Sequence, residues 1–262
     1  MTETTALDTA HAAMQNAPDN DAARLRFFER LADCELFLML SHEAKGENLS
    51  PELFELADGR FVLAFDREER LAQFAGNPAP YAALSGRVLA GMLAGQGIGL
   101  GLNLEVAPSS ILIPSEALSW LQETLGHGPQ EIEATLAEVT APRGLPEVLL
   151  AALDTKLATA TGLAAGAYLV GVSYRDGGQG HMLGFVDTVE GAEGALAKAA
   201  SEALTFTGIE AGAMDVGFFA AKDPVAAKLA KVGVRFDLPQ PEVRAFGPKA
   251  PGTDPDAPPK LK

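Results

Sequence analysis

Cysteine is almost missing from this chain. Cys34 is the only one in 262 residues, so no intramolecular disulfide can form. That fits a reducing compartment, and it removes structural zinc sites built on several thiolates. Histidine is scarce too. His11, His42, His127 and His181 are not spaced for zinc with one another, and HExxH is absent, so no metal site is expected. Positive charge is in deficit: 20 Lys and Arg stand against 35 Asp and Glu, a net charge of -15, with a pI near 4.6. Phosphate contacts need surplus Lys and Arg, so neither nucleic acid nor an anionic membrane surface is an expected partner. Long apolar runs are lacking as well. The uncharged stretches 88–104 and 157–174 approach the ~18–20 residues of a membrane span. Glycines, Gln96 and Asn103 break the first, and Thr159, Thr161 and Ser173 the second, so neither is expected to span. The start, Met1-Thr2-Glu3-Thr4-Thr5, has no basic or apolar signal region, and the chain reads as cytoplasmic.

What is present is ordinary globular material, 47% hydrophobic and 21% charged. A folded chain of this length buries roughly three quarters of its unfolded surface and needs no metal or disulfide to hold a core. Pro18-Asp19-Asn20-Asp21 separates two helices, and Glu35 to Leu40 has the length of a strand. Ala57-Asp58-Gly59 between apolar runs predicts a hairpin. Asp66 with Glu69 predicts a capping box for a helix through Phe74, and Ser85 a cap for one through Leu93. Pro114-Ser115-Glu116 opens another helix. Gly126-His127-Gly128-Pro129 is the strongest breaker and places a domain boundary there. The second half reads β-α-β-β-α-β, split βαβ-like, an antiparallel sheet with helices on one face, followed by a helix opened by Asp223-Pro224. The fold class is therefore α+β. A mixed α/β N-terminal domain covers 1–127 and a second domain 128–237. The proline-crowded tail 238–262 has too few apolar residues to fold and reads as disordered.

The chemistry-bearing patterns are weak. Gly95-Gln96-Gly97-Ile98-Gly99-Leu100-Gly101 is rich in glycine, but a dinucleotide fingerprint needs glycine at 100 or 102, and both are leucine. No lysine follows as in a phosphate loop, and the segment runs from helix to strand, the reverse of a phosphate cradle. It reads as a helix C-cap and a close-packed strand, with no cofactor implied. Gly171-Val172-Ser173-Tyr174-Arg175 ends in Arg and lacks the second glycine of a nucleophile elbow. Cys34 lies between Asp33 and Glu35, whereas a reactive thiol needs an electropositive setting. No catalytic residue is assigned. Arg87, Gln96 and Asn103 are the polar side chains around the Gly-rich segment suited to gripping a polar ligand, Arg87 above all a carboxylate.

Four pieces in order carry a family resemblance: Leu25 to Leu40 (LRFFERLADCELFLML), Gly59 to Phe74 (GRFVLAFDREERLAQF), Leu84 to Leu104 (LSGRVLAGMLAGQGIGLGLNL) and Ile113 to Leu121 (IPSEALSWL). Over about residues 20–125 the chain resembles the enhanced serine sensitivity (SseB) family. Its second half is similar to that family's C-terminal domain through Ala167-Tyr168-Leu169 and Gly233 to Asp237 (GVRFD). Where the family commonly reads Asn-Pro-Gly, this chain has Asn103-Leu104-Glu105. The resemblance implies a cytoplasmic bacterial protein of two α+β domains and brings no catalytic residues.

The function expected is a non-enzymatic binding or regulatory protein with a protein partner or a self-associated form. The alternatives are a small-molecule binder, of an amino acid for instance, and an enzyme with a dispersed site. The acidity spreads over both halves and is heaviest in residues 1–60, with 12 acids against 5 bases. The tail from 238 has 3 acids and 4 bases.

Overall fold

The computed structural model describes residues 4–44, 46, 48–56, 59–129, 134–209 and 214–241. The expected break at Pro18 separates α1 (Ala6–Asn16) from α2 (Asp21–Asp33). A capping box starts α1: Thr5 Oγ1 accepts from Asp8 N–H at 3.1 Å and the Asp8 carboxylate accepts from Thr5 N–H at 2.9 Å. The Asn20 side chain caps α2. Then come β1 (Glu35–Met39), β2 (Leu53–Leu56) and β3 (Gly59–Phe65). The last two pair antiparallel, as the hairpin signal predicts, although Ala57 and Asp58 of its turn lie outside the described residues.

α3 (Glu68–Ala75) forms without the expected Asp66/Glu69 box, because Arg67 is its N-cap and makes no side-chain cap. Asp66 instead accepts from Arg70 at 2.7 Å and from the Thr5 hydroxyl at 2.7 Å. A buried guanidinium outcompetes a backbone cap for that carboxylate. β4 (Tyr81–Ser85) leads into α4 (Gly86–Leu93), which Ser85 caps. The chain leaves α4 through Gly95 and Gly97, both left-handed (φ 74° and 65°), as the C-cap reading requires. β5 (Ile98–Leu102), β6 (Ile111–Ile113) and α5 (Ser115–Gly126) complete this half. Between β5 and β6, Asn103 (φ 49°) and Glu105 (φ 61°) make the tight turn with no glycine.

The first sheet runs β4-β1-β3-β5-β6, with β2 also on β3. β3 and β5 are parallel and the remaining pairs antiparallel. One face carries the main core: Phe27, Leu31, Leu89, Leu118 and Leu121 from the helices meet Leu36, Leu38, Val62 and Leu100. α3 covers the other face, packing Leu71 on Leu63 and Phe65.

The second half contains β7 (Leu136–Thr140), α6 (Glu147–Leu157), β8 (Gly166–Tyr174), β9 (Gln179–Val186), α7 (Glu193–Phe206), β10 (Met214–Phe219), α8 (Pro224–Val232) and β11 (Val234–Phe236). The β-α-β-β-α-β order is present from β7 to β10 and is extended by α8 and β11. The order in space is β10-β9-β8-β11, with β7 also on β8. β7 and β11 pair with successive parts of β8, and β9 with β10 is parallel. Two details of the expected sheet are thereby corrected: it is mixed, and helices lie on both faces. α6 and α7 pack on one through Leu153, Leu157, Leu196 and Ala200, while Leu229 of α8 packs on Val170, Val172 and Met182 across it.

The architecture is α+β, two mixed sheets with eight helices among the described residues. No helix there is long and apolar enough to cross a membrane. The proline-rich tail falls from residue 242 onward outside the described residues.

Candidate functional site

The three residues singled out around the Gly-rich segment go to three different places. Asn103 is fully buried and structural. Its Oδ1 accepts from Asp66 N–H at 3.0 Å and its Nδ2 donates to Ser109 Oγ at 2.8 Å. Gln96, just past α4, lines an apolar groove. Arg87 faces the second half of the chain. Its guanidinium donates to both oxygens of Glu202 at 3.0 and 3.1 Å and to Asp33 at 2.6 Å.

Arg87 is one corner of a closed ring. Lys156 of α6 lies 2.6 Å from Asp33 and 2.7 Å from Glu202, so two cations alternate with two carboxylates across α2, α4, α6 and α7. Glu202 and Lys156 are buried. Burial alone would raise the Glu202 carboxyl, but the Arg87 hydrogen bond and the Lys156 charge outweigh it and hold it below its ordinary value. The Glu202 hydrogen bond raises Arg87. Glu29, also buried on α2, has Oε1 without a partner. Burial pushes its carboxyl up, against the opposing charge of Lys156.

A second charged cluster sits inside the first half. Arg70 holds Asp8 through Nη1 and Nη2, at 3.1 and 2.5 Å, and Asp66 through Nη1 at 2.7 Å. Ser109 donates to Asp8 as well. Desolvation would raise Asp8, but the Arg70 and Ser109 bonds bring it well below the ordinary carboxylate range. Asn103 is a strut of this cluster, tying Ser109 to the backbone of Asp66.

Two concavities adjoin these elements. An open one of about 450 Å³ is bounded by Thr5, Leu7, Cys34, Glu35, Phe37 and residues 66–69. Burial pushes the Cys34 thiol up to about 12, with the Asp66 charge adding to it, and its Sγ lies 3.4 Å from Leu31 O. Such a setting disfavours the thiolate, the opposite of the electropositive one a nucleophilic cysteine needs. The other, of about 230 Å³, is a groove between the sheet residues Leu38, Leu53, Val62 and Ile98 and the α4 residues Leu89, Met92 and Leu93. It takes in Gln96 but neither Arg87 nor Asn103. Leu53 and Met92 at its mouth are 49% and 41% exposed.

Among the described residues no group of three His, Cys, Asp or Glu could hold a metal ion. Asp33, Lys156 and Glu202 escaped the sequence reading, although a signal existed. Glu202 interrupts the small and apolar stripe Leu196, Ala200, Ala203, and Lys156 lies between Leu153 and Leu157 on the face α6 buries. A charge at a core-facing helical position asks for a buried partner. Compared with known protein families, curated proteins and solved structures, the chain matches none.

Proposed function

We propose that this chain is a non-enzymatic binding or regulatory protein that takes up a protein segment in the groove between β2 and α4. The groove itself carries the reading: it is apolar, concave, and flanked by large side chains left in water. Such a patch is a liability unless something covers it. The charged groups support the same reading. Arg87 and Lys156 are taken up by Asp33 and Glu202, which leaves neither cation to grip a ligand. Cys34 carries a raised thiol at an acidic wall. The SseB resemblance belongs to this reading, with the cytoplasmic setting it implies and no catalytic residues.

The test places a photo-crosslinking amino acid at Met92 and, as a control, at Asp154, which is exposed on α6. A discrete adduct from position 92, missing from 154 and abolished by Leu53→Glu, is the expected result. Light scattering on the purified protein separates a self-associated form from a heterologous partner. A strict monomer of 27.3 kDa with no groove-dependent adduct overturns the proposal.

A further inference from the structure

We infer that the segment this groove takes is an extended apolar stretch flanked by Lys or Arg, added as a further strand along the open edge of β2. The inference rests on the groove reading above and names the chemistry of the partner.

The first observation is the edge. β2 pairs with β3 through Leu53 to Leu56. Just before it the end of β1 is already paired, Glu52 N–H donating to Met39 O at 3.1 Å and Leu40 bridging Pro51. Beside Leu53 to Leu56 themselves no second strand lies among the described residues. Its outward N–H and C=O groups are a template for a strand, the commonest way an extended peptide gains affinity without sequence-specific contacts. The second is the position of the groove. Leu53 of β2 is one wall and Met92 of α4 another, with Leu38, Val62 and Ile98 at the sheet face. Side chains of an added strand alternate between the two faces, so every second one meets the groove while its backbone pairs with β2.

The third is charge. Among the described residues from 41 to 60, which hold β2 and its approach, Glu43, Glu52 and Glu55 stand against Arg60 alone. Arg60 lies opposite Glu55 across the hairpin, and Arg87 of α4 is held by Asp33 and Glu202. From 88 to 104 there is no charged residue. A strand bearing Lys or Arg beside its apolar stretch meets opposite charge at Glu55 and at Glu52 just before β2. A second copy of this chain would bring the same acids against them. Short length and edge glutamates are also what keep a sheet edge from pairing with its own kind, so the features that reject a copy favour a cationic segment.

The experiment is fluorescence anisotropy with three labelled peptides at about 0.1 M salt, where exposed charges are screened beyond ~10 Å. They are KKVTLTVTKK, the same peptide with glutamates for its lysines, and the lysine form with alternate backbone nitrogens methylated. The expected result is saturable binding of the first, weakened tenfold or more by the glutamate flanks and by methylation. Leu53→Glu and Met92→Glu each add an acid, so attraction by charge alone would strengthen binding; in this arrangement both weaken it tenfold or more. Equal binding of the methylated peptide, or tighter binding by Leu53→Glu, overturns the strand-addition reading. Equal binding of the glutamate peptide overturns the cationic assignment. Failure of all three overturns this inference, while a groove-dependent adduct from Met92 would leave the binding function standing.

Discussion

Arg70 is the largest fully buried side chain among the described residues, and its charge is balanced by Asp8 and Asp66. Arg70→Ala leaves two carboxylates buried without a cation, a change of about 3–5 kcal/mol in unfolding free energy, measurable by urea denaturation at pH 7. The pH dependence follows from Asp8. Its folded carboxyl titrates below the ordinary range, so its contribution is fully present above an unfolded value near ~3.9 and is lost as pH falls through the folded value. Stability measured from pH 7 down to pH 3 should drop more steeply in the parent chain than in Asp8→Asn. Glu29 has the opposite sign. Its carboxyl is raised by burial, so its protonated form contributes at low pH and that contribution is lost as pH rises through the folded value. Glu29→Gln is therefore expected to gain about 1 kcal/mol at pH 7 and little at pH 4, by the same titration of stability; a loss at pH 7 would show that the ionised form is needed. These pairings were not legible in the sequence, because Arg70 and Asp8 are 62 residues apart and Lys156 and Asp33 are 123 apart. Arg87 stood out as the one charge in an uncharged region, but only the fold shows that its partners are internal.

At the scale of elements the sequence is far more informative, since periodicity and turn chemistry act locally. The Pro18 break, the β2–β3 hairpin, the Ser85 cap and the glycine exit from α4 all follow from a few adjacent residues. β4 and β11 were missed for physical reasons. β4 follows Pro78 and Pro80 and is a half-exposed edge strand, so it carries no clean alternation; β11 has three residues and exists by pairing with β8. The capping box of α3 failed because its carboxylate serves Arg70, a tertiary demand. One close contact between elements was equally invisible. Gly86 opens α4 against α2, where an added Cβ would lie 1.7 Å from the Leu31 carbonyl oxygen. That neighbour is backbone and cannot swing aside, so Gly86→Ala must shift one helix against the other. The expected loss is about 3 kcal/mol, at the upper end for overpacking. Urea denaturation checks it, with an unchanged slope showing that the unfolded state is not what moved.

The molecule is held together where its two sheets' helices meet. Phe206, from the end of α7 in the second half, is buried in the main core of the first, four residues along the helix from Glu202 of the ring that joins Asp33, Arg87, Lys156 and Glu202. An apolar plug and a closed set of charges, with Lys156 and Glu202 buried and Arg87 and Asp33 partly exposed, act in different ways. The plug supplies burial free energy, whereas the ring costs desolvation and tolerates one registry of the four helices, because any slip leaves a buried charge unpaired. The two halves should therefore melt in one calorimetric transition. Phe206→Ala removes the plug, with a loss of about 3–5 kcal/mol. Lys156→Ala leaves Asp33 and Glu202 sharing Arg87 alone, with a loss of similar size. If the interface couples the halves, each variant splits the single transition into two, the earlier one moving further down in temperature. Lys156→Met combined with Glu202→Met removes one cation and one carboxylate together and keeps the Arg87–Asp33 pair. Much of the loss should then be recovered, since apolar replacement of a whole buried pair is often close to neutral. A single transition retained in Phe206→Ala and Lys156→Ala alike would show that the two halves unfold as one body without this interface.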